Sequence, residues 1–206
     1  MMRVSIENLA VVRGEELVFS GLSFAVAAGE ALIVRGPNGA GKSTLLRTLA
    51  DLLPAEAGTM TFTDPDGEFG EARLPELCHY LGHENAMKTA MSVGENLVFW
   101  QEFAGQPHLD VEEALEMVGL GGLSSIPFGH LSTGQRRRAS IARLLVSYRP
   151  VWLLDEPTSG LDAASEKQFA DLMKVHLEDG GIIIAATHLP LGLDGARILE
   201  LQSAAE

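Results

Sequence analysis

Residues Gly36-Pro37-Asn38-Gly39-Ala40-Gly41-Lys42-Ser43 spell G-x-x-x-x-G-K-S between an apolar run, Ala31-Leu32-Ile33-Val34, and a helical pattern from Thr44 to Ala50. A buried strand that feeds a glycine-rich turn and then a helix is the context in which this motif binds phosphate, and it narrows the fold to the α/β class. Glycines permit a tight loop whose N–H groups point inward at phosphate oxygens. The helix that follows presents its positive end to the same anion. Lys42 is expected to reach the β- and γ-phosphates of a nucleoside triphosphate, and Ser43 to ligate Mg²⁺. The expected nucleotide-binding set is therefore Gly36, Pro37, Asn38, Gly39, Ala40, Gly41, Lys42 and Ser43, with Thr44 just inside the helix.

Two further apolar runs, Val151-Trp152-Leu153-Leu154 and Ile182-Ile183-Ile184-Ala185-Ala186, read as strands covered on both faces of a parallel sheet. Near the N-terminus Leu22, Phe24 and Val26 alternate with smaller residues, as in a half-exposed antiparallel strand. Arg197 to Leu201 reads as a last strand. From about Glu84 to Pro150 the strand signal vanishes. Ser92-Val93-Gly94-Glu95 is a capping box opening a helix through Phe103. Asp110 caps a helix with Val111, Ala114, Leu115 and Val118 on one face. Ser132-Thr133-Gly134-Gln135 opens a third helix, to about Tyr148. The expectation is one domain, 1–206, with a core of 1–83 and 151–206 and a helical insertion at about 84–150.

Asp155-Glu156 ends the second buried strand. A carboxylate there suits Mg²⁺ held beside Ser43, which is the part expected of Asp155; Glu156 would orient and deprotonate an attacking water. His188 follows the third buried strand, at the end of the sheet where α/β folds bind ligands, and reads as a hydrogen-bond donor to the γ-phosphate. Lys42, Glu156 and His188 form the expected catalytic set. The formal net charge of −13 lowers any nucleic-acid reading, because such binding draws its affinity from Lys and Arg on phosphates. The one dense basic cluster, Arg136-Arg137-Arg138 with Arg143 and Arg149, reads as a solvated helix face. No apolar run approaches the roughly 18–20 residues that cross a bilayer, and the N-terminus has no signal-peptide pattern. A lone Cys78 makes no intrachain disulfide and fits a reducing compartment. Cys78, His79 and His83 match none of the usual zinc spacings.

Leu131-Ser132-Thr133-Gly134-Gln135 resembles the signature L-S-x-G-Q of the ABC ATPases, and Ser159-Gly160-Leu161-Asp162 resembles their D-loop. With the phosphate loop, Asp155-Glu156 and His188, the resemblance covers nearly the whole chain in the family's order. It implies a P-loop NTPase fold with a RecA-like core, an N-terminal antiparallel β region and an inserted helical subdomain. It also implies ATP and Mg²⁺ as ligands, and an ATP-dependent head-to-tail homodimer in which Ser132, Gly134 and Gln135 of one subunit meet the γ-phosphate held by the other. Two positions depart from the family pattern. Arg13 stands about where an aromatic residue usually stacks on adenine, and could stack through its guanidinium. His83, followed by Glu84, stands where a glutamine approaches Mg²⁺ or the attacking water.

The stretch Leu81 to Ser92, Ile126-Pro127, Arg136-Arg137-Arg138 and Thr187-His188-Leu189-Pro190-Leu191 are more particular. They are similar to the ATP-binding subunit of the bacterial cytochrome c maturation system, the heme exporter family. That resemblance implies a hydrophobic membrane permease as partner, no nucleic acid, and a place on the cytoplasmic face of the inner membrane. The ATPase subunit of another small exporter, for lipid or drug, and an ABC ATPase acting on nucleic acid or ribosomes are the alternatives. Leu97-Val98-Phe99-Trp100 spans nearly a helical turn, so at least one of the four is expected to be exposed or covered by a neighbour.

Overall fold

The alternating N-terminal segments pair into an antiparallel sheet of order β2-β1-β4, formed by β1 (Arg3–Arg13), β2 (Glu16–Ala27) and β4 (Ala57–Thr63). The unbroken apolar runs form a second sheet instead, because residues apolar on both sides need cover on both faces. Its order is β5-β6-β7-β3-β8, with β3 (Ala31–Arg35), β5 (Cys78–Leu81), β6 (Val151–Asp155), β7 (Ile182–Ala186) and β8 (Arg197–Glu200). Strand β3 runs parallel to β7 and β8, and β6 parallel to β7. Every residue of β6 and β7 is buried. At about 1.5–3 kcal/mol per buried Leu or Ile, these strands supply much of the core's stabilisation.

This computed structural model describes residues 1–67, 69–70 and 72–202. It divides into two compact units, one of Met1–Tyr80, Pro150–Pro157 and Met173–Glu206, the other of Leu81–Arg149 and Thr158–Leu172. Both sheets belong to the first unit, apart from Leu81 at the end of β5. Helix α1 (Lys42–Leu49) packs there through Leu45, Leu46 and Leu49, joining the cluster of Val34, Leu153 and Ile184.

The second unit holds α2 (Val93–Ala104), α3 (Val111–Met117) and α4 (Thr133–Leu145). Their starts follow the sequence. The Glu95 N–H donates to Ser92 Oγ at 3.1 Å while the Ser92 N–H donates to Glu95 Oε2 at 2.7 Å. The Glu113 N–H donates to Asp110 Oδ1 at 2.9 Å. Helix α5 (Ala163–Glu178) begins where Asp162 Oδ1 accepts the Ser165 N–H at 2.8 Å. Among the described residues no helix is long and apolar enough to cross a membrane.

Two expectations change and a third is met. Helix α4 stops at Leu145, not near Tyr148, because the Tyr148 N–H, which a longer helix would send back to Leu144 O, donates to Gln106 O at 2.9 Å. Val146 O, whose helical partner would be the N–H that Pro150 lacks, accepts instead from the His108 N–H at 3.0 Å and from Gln101 Nε2 at 2.8 Å. The arginine cluster is not a solvated face. Arg137 and Arg143 are 4% and 5% exposed. Arg137 Nη1 donates to Gly82 O at 2.7 Å, Arg138 Nη1 to Gly119 O at 2.8 Å, Arg136 to Gly129 O and Arg149 to Ala104 O. Arg143 lies 4.5 Å over the Trp100 ring. These side chains staple loop carbonyls and an aromatic ring of their own unit. Finally, Leu97 is buried while Val98 and Phe99 are exposed; with Phe103, which stacks on Phe99 at 5.9 Å, they leave an apolar patch on α2.

Candidate active site

The C-terminal ends of β3, β6 and β7 lie side by side in the sheet, and each carries a functional segment into the first unit. After β3 the chain must turn hard. Gly36 has φ 150°, and a Cβ there would collide with the Leu201 carbonyl. Gly41 has φ 95° and caps α1, with a Cβ position 2.5 Å from Val18 Cγ1. Both positions need glycine for backbone shape and for space. Lys42 Nζ donates to Gly36 O at 2.8 Å and Pro37 O at 3.0 Å, which holds its charge within the arch of the loop.

One residue on, Ser43 Oγ donates to Asp155 Oδ1 at 2.9 Å, bridging 112 residues of sequence. Asp155 is buried at the end of β6. Its other oxygen accepts from Tyr80 OH at 3.3 Å, and Arg47 Nε lies 3.4 Å from that hydroxyl. Burial, with the Asp155 charge beside it, pushes the Tyr80 phenol up, so it stays a neutral donor. A hydroxyl and a carboxylate on adjoining elements are hard oxygen donors of the kind Mg²⁺ takes. Sequence reasoning missed Tyr80 and Arg47. Tyr80 sits on β5, beside β6, so an aromatic hydroxyl in a strand flanking the aspartate strand was the available signal.

Glu156 has φ 43°, a left-handed backbone that costs of order 1–3 kcal/mol for a residue with a side chain. Its N–H donates to Ala186 O at 2.8 Å, tying it to the end of β7. Its Oε2 accepts from Thr187 Oγ1 at 3.1 Å, and its Oε1 lies 3.9 Å from His188 Nε2. Glu156 is partly open to solvent and His188 about half. A carboxylate fixed at its backbone, with a histidine beside one oxygen, is set up to take a proton from a water near a phosphate. The structure thus brings Lys42, Ser43, Asp155, Glu156 and His188 together in one unit.

Arg13 is exposed at the end of β1, paired with Glu16 across the hairpin. The remaining expected residues belong to the second unit. His83 and Glu84 are exposed there. Among the described residues no group of three His, Cys, Asp or Glu is placed to hold a metal. At the start of α4 the Gln135 N–H donates to Ser132 Oγ at 3.2 Å, and the Ser132 N–H to Gln135 Oε1 at 2.9 Å. The Ser132 hydroxyl hydrogen and the first free N–H groups of this 13-residue helix remain as donors to an anion. Gly134 lies under the D-loop: a Cβ there would sit 3.2 Å from Gly160 O.

A phosphate loop whose serine meets a strand-end aspartate, a glutamate directly after that aspartate, a histidine just past the neighbouring strand, and a separate L-S-T-G-Q helix start define an ATPase of the ABC class. The sequence profile described as ABC transporter matches residues 19–159, and the chain belongs to that family. A cytochrome c biogenesis ATP-binding export protein, CcmA, from Chelativorans sp. strain BNC1 is 61% identical, covering 97% of this chain and 98% of that protein. The CcmA of Mesorhizobium japonicum is 59% identical over 96% of this chain and 97% of its own length. Those relatives place the chain among the cytochrome c biogenesis ATP-binding export proteins. Among solved structures, the dimeric bacterial ABC transporter cassette MJ0796 superposes with a TM-score of 0.80 at 24% identity, covering 97% of this chain and 94% of that one, which shows the shared fold.

Proposed function

We propose that this chain is the ATP-hydrolysing subunit that powers a heme-exporter type of complex in cytochrome c maturation, working with Mg²⁺ as a head-to-tail homodimer bound to a hydrophobic membrane permease at the cytoplasmic face of the inner membrane. The observation that carries the chemical part is the bond of Ser43 Oγ to Asp155 Oδ1, with Glu156 next in the chain and His188 just past the adjoining strand. Ser43 and Asp155 would hold the metal, whose charge neutralises the phosphates when it is bound. Lys42 and the loop N–H groups fix the β- and γ-phosphates. Glu156 orients a water and takes its proton as the water oxygen bonds to the γ-phosphorus. The bond to the β–γ bridging oxygen breaks and ADP leaves; His188 holds the γ-phosphate oxygens meanwhile.

The signature residues Ser132, Gly134 and Gln135 act on the nucleotide held by the second subunit. The dimeric state of the MJ0796 cassette supports this arrangement. The role carried in the names of the two CcmA relatives supports the cytochrome c assignment. Val98, Phe99 and Phe103 are exposed on α2 and offer the permease an apolar contact. The test is heme staining of c-type cytochromes in cells whose only copy is Lys42→Ala, with hydrolysis by the purified Glu156→Gln protein as a second arm. Loss of staining is expected. Normal staining overturns the cytochrome c role, and hydrolysis by Glu156→Gln within about tenfold of wild type, roughly 1.4 kcal/mol of barrier, overturns the role of Glu156.

A further inference from the structure

The turn that carries His188 also grips Glu156. Thr187 is fully buried just past the end of β7. Its Oγ1 accepts the Leu189 N–H at 3.0 Å. The single hydroxyl hydrogen then has two acceptors within reach, Glu156 Oε2 at 3.1 Å and the Leu189 carbonyl at 3.4 Å. The carboxylate is both nearer and the stronger acceptor. The other carboxylate oxygen, Oε1, lies 3.9 Å from His188 Nε2.

We infer that Thr187 is a positioning residue for hydrolysis: its hydroxyl holds Oε2 so that Oε1 receives the proton of the attacking water, and the Leu189 bond ties that setting to the turn bearing His188. This rests on Glu156 acting as the base. The backbone of Glu156 is held in a left-handed conformation by its bond to Ala186, and the Thr187 hydroxyl adds a hold on the carboxylate itself. Were Thr187 present only to satisfy the turn, the Leu189 bond would suffice and the carboxylate would not need to meet it.

Four proteins decide the matter: Thr187→Val, Thr187→Ser, Glu156→Gln and the Thr187→Val, Glu156→Gln double variant. MgATP turnover, single-turnover hydrolysis and the Kd of a trinitrophenyl-ATP probe are measured on each, with thermal melting as a check on folding. Thr187→Val is expected to lower kcat by about tenfold or more while KM and the probe Kd stay within about twofold. Thr187→Ser is expected to recover kcat to within about threefold. In the Glu156→Gln background, Thr187→Val is expected to add less than about a twofold loss, since the base it positions is gone. If Thr187→Val does not fold, Thr187→Ala is read in its place. A kcat within about twofold of wild type, an equal loss in Kd, or an undiminished loss in the double variant overturns the inference. An inactive Glu156→Gln beside a fully active Thr187→Val sinks Thr187 alone, whereas an active Glu156→Gln sinks the reading beneath it.

Discussion

His176 gives the structure a measurable acid sensitivity. It lies on α5 in the first unit, 8% exposed, stacked on Trp152 with ring centroids 4.0 Å apart and planes 13° from parallel. Gly181 closes the other side so tightly that a Cβ there would overlap the imidazole. Burial pushes the pKa of His176 down to about 4; backbone groups of Ile182 and Pro150 and the charge of Asp179 oppose this without cancelling it. An unfolded histidine titrates near 6.5, so between about 6.5 and 4 the unfolded chain binds the extra proton and the folded chain does not. Stability from this residue is therefore complete above about pH 6.5 and is lost as the pH falls toward 4. Integrated from pH 8 to pH 5, the loss is about 2 kcal/mol, or roughly 4–8 °C in melting temperature for a chain of this size. His176→Phe keeps a flat ring against Trp152 and removes the titration. Melting followed by circular dichroism at pH 8 and pH 5, for wild type and variant, isolates the term, because all other titrating groups are shared. The wild-type protein should lose about 4–8 °C more than the variant over that interval. Equal losses in the two proteins would refute the argument.

Glu156→Gln protein should dimerise in MgATP, and adding Gly134→Asp should abolish the dimer by setting a carboxylate against the γ-phosphate and crowding Gly160 O; sedimentation showing undiminished dimers would count against it. With Arg13 at the base, ATP and GTP should compete within about a hundredfold, roughly 2.7 kcal/mol, and a larger preference for ATP in a displacement assay would mean that another group reads the base. Arg137→Met should lower stability by about 1–3 kcal/mol, since it strips the buried Gly82 carbonyl of a charged donor; an unchanged melting temperature would show that the staple contributes nothing.

What was legible in the sequence was whatever is written locally. The glycines at 36 and 41 encode backbone shape, the boxes at Ser92 and Ser132 encode helix starts three residues on, and the runs at 151 and 182 encode strands covered on both faces. The rest depends on partners far along the chain. Tyr80 meets Asp155 across 75 residues and Thr187 meets Glu156 across 31, so neither role shows in a window of sequence. Helix α4 ends earlier than its local pattern suggests because Gln106, far along the chain, takes the Tyr148 N–H. The arginines were misread because charge alone says water, while their true acceptors are carbonyls of loops that only the fold brings near.

Those inward-turned arginines also shape how the protein meets a membrane. Of the 15 Lys and Arg residues, set against 28 Asp and Glu, Arg137 and Arg143 are withdrawn from solvent altogether. Neither can make a short-range contact with an anionic headgroup, although both still count toward the net charge of −13. An anionic bilayer surface, at about −30 mV, repels a chain of this net charge, and salt weakens that repulsion by screening it. Adhesion to bare anionic bilayer is thereby disfavoured, and the exposed apolar patch of Val98, Phe99 and Phe103 is better suited to a protein partner than to lipid headgroups.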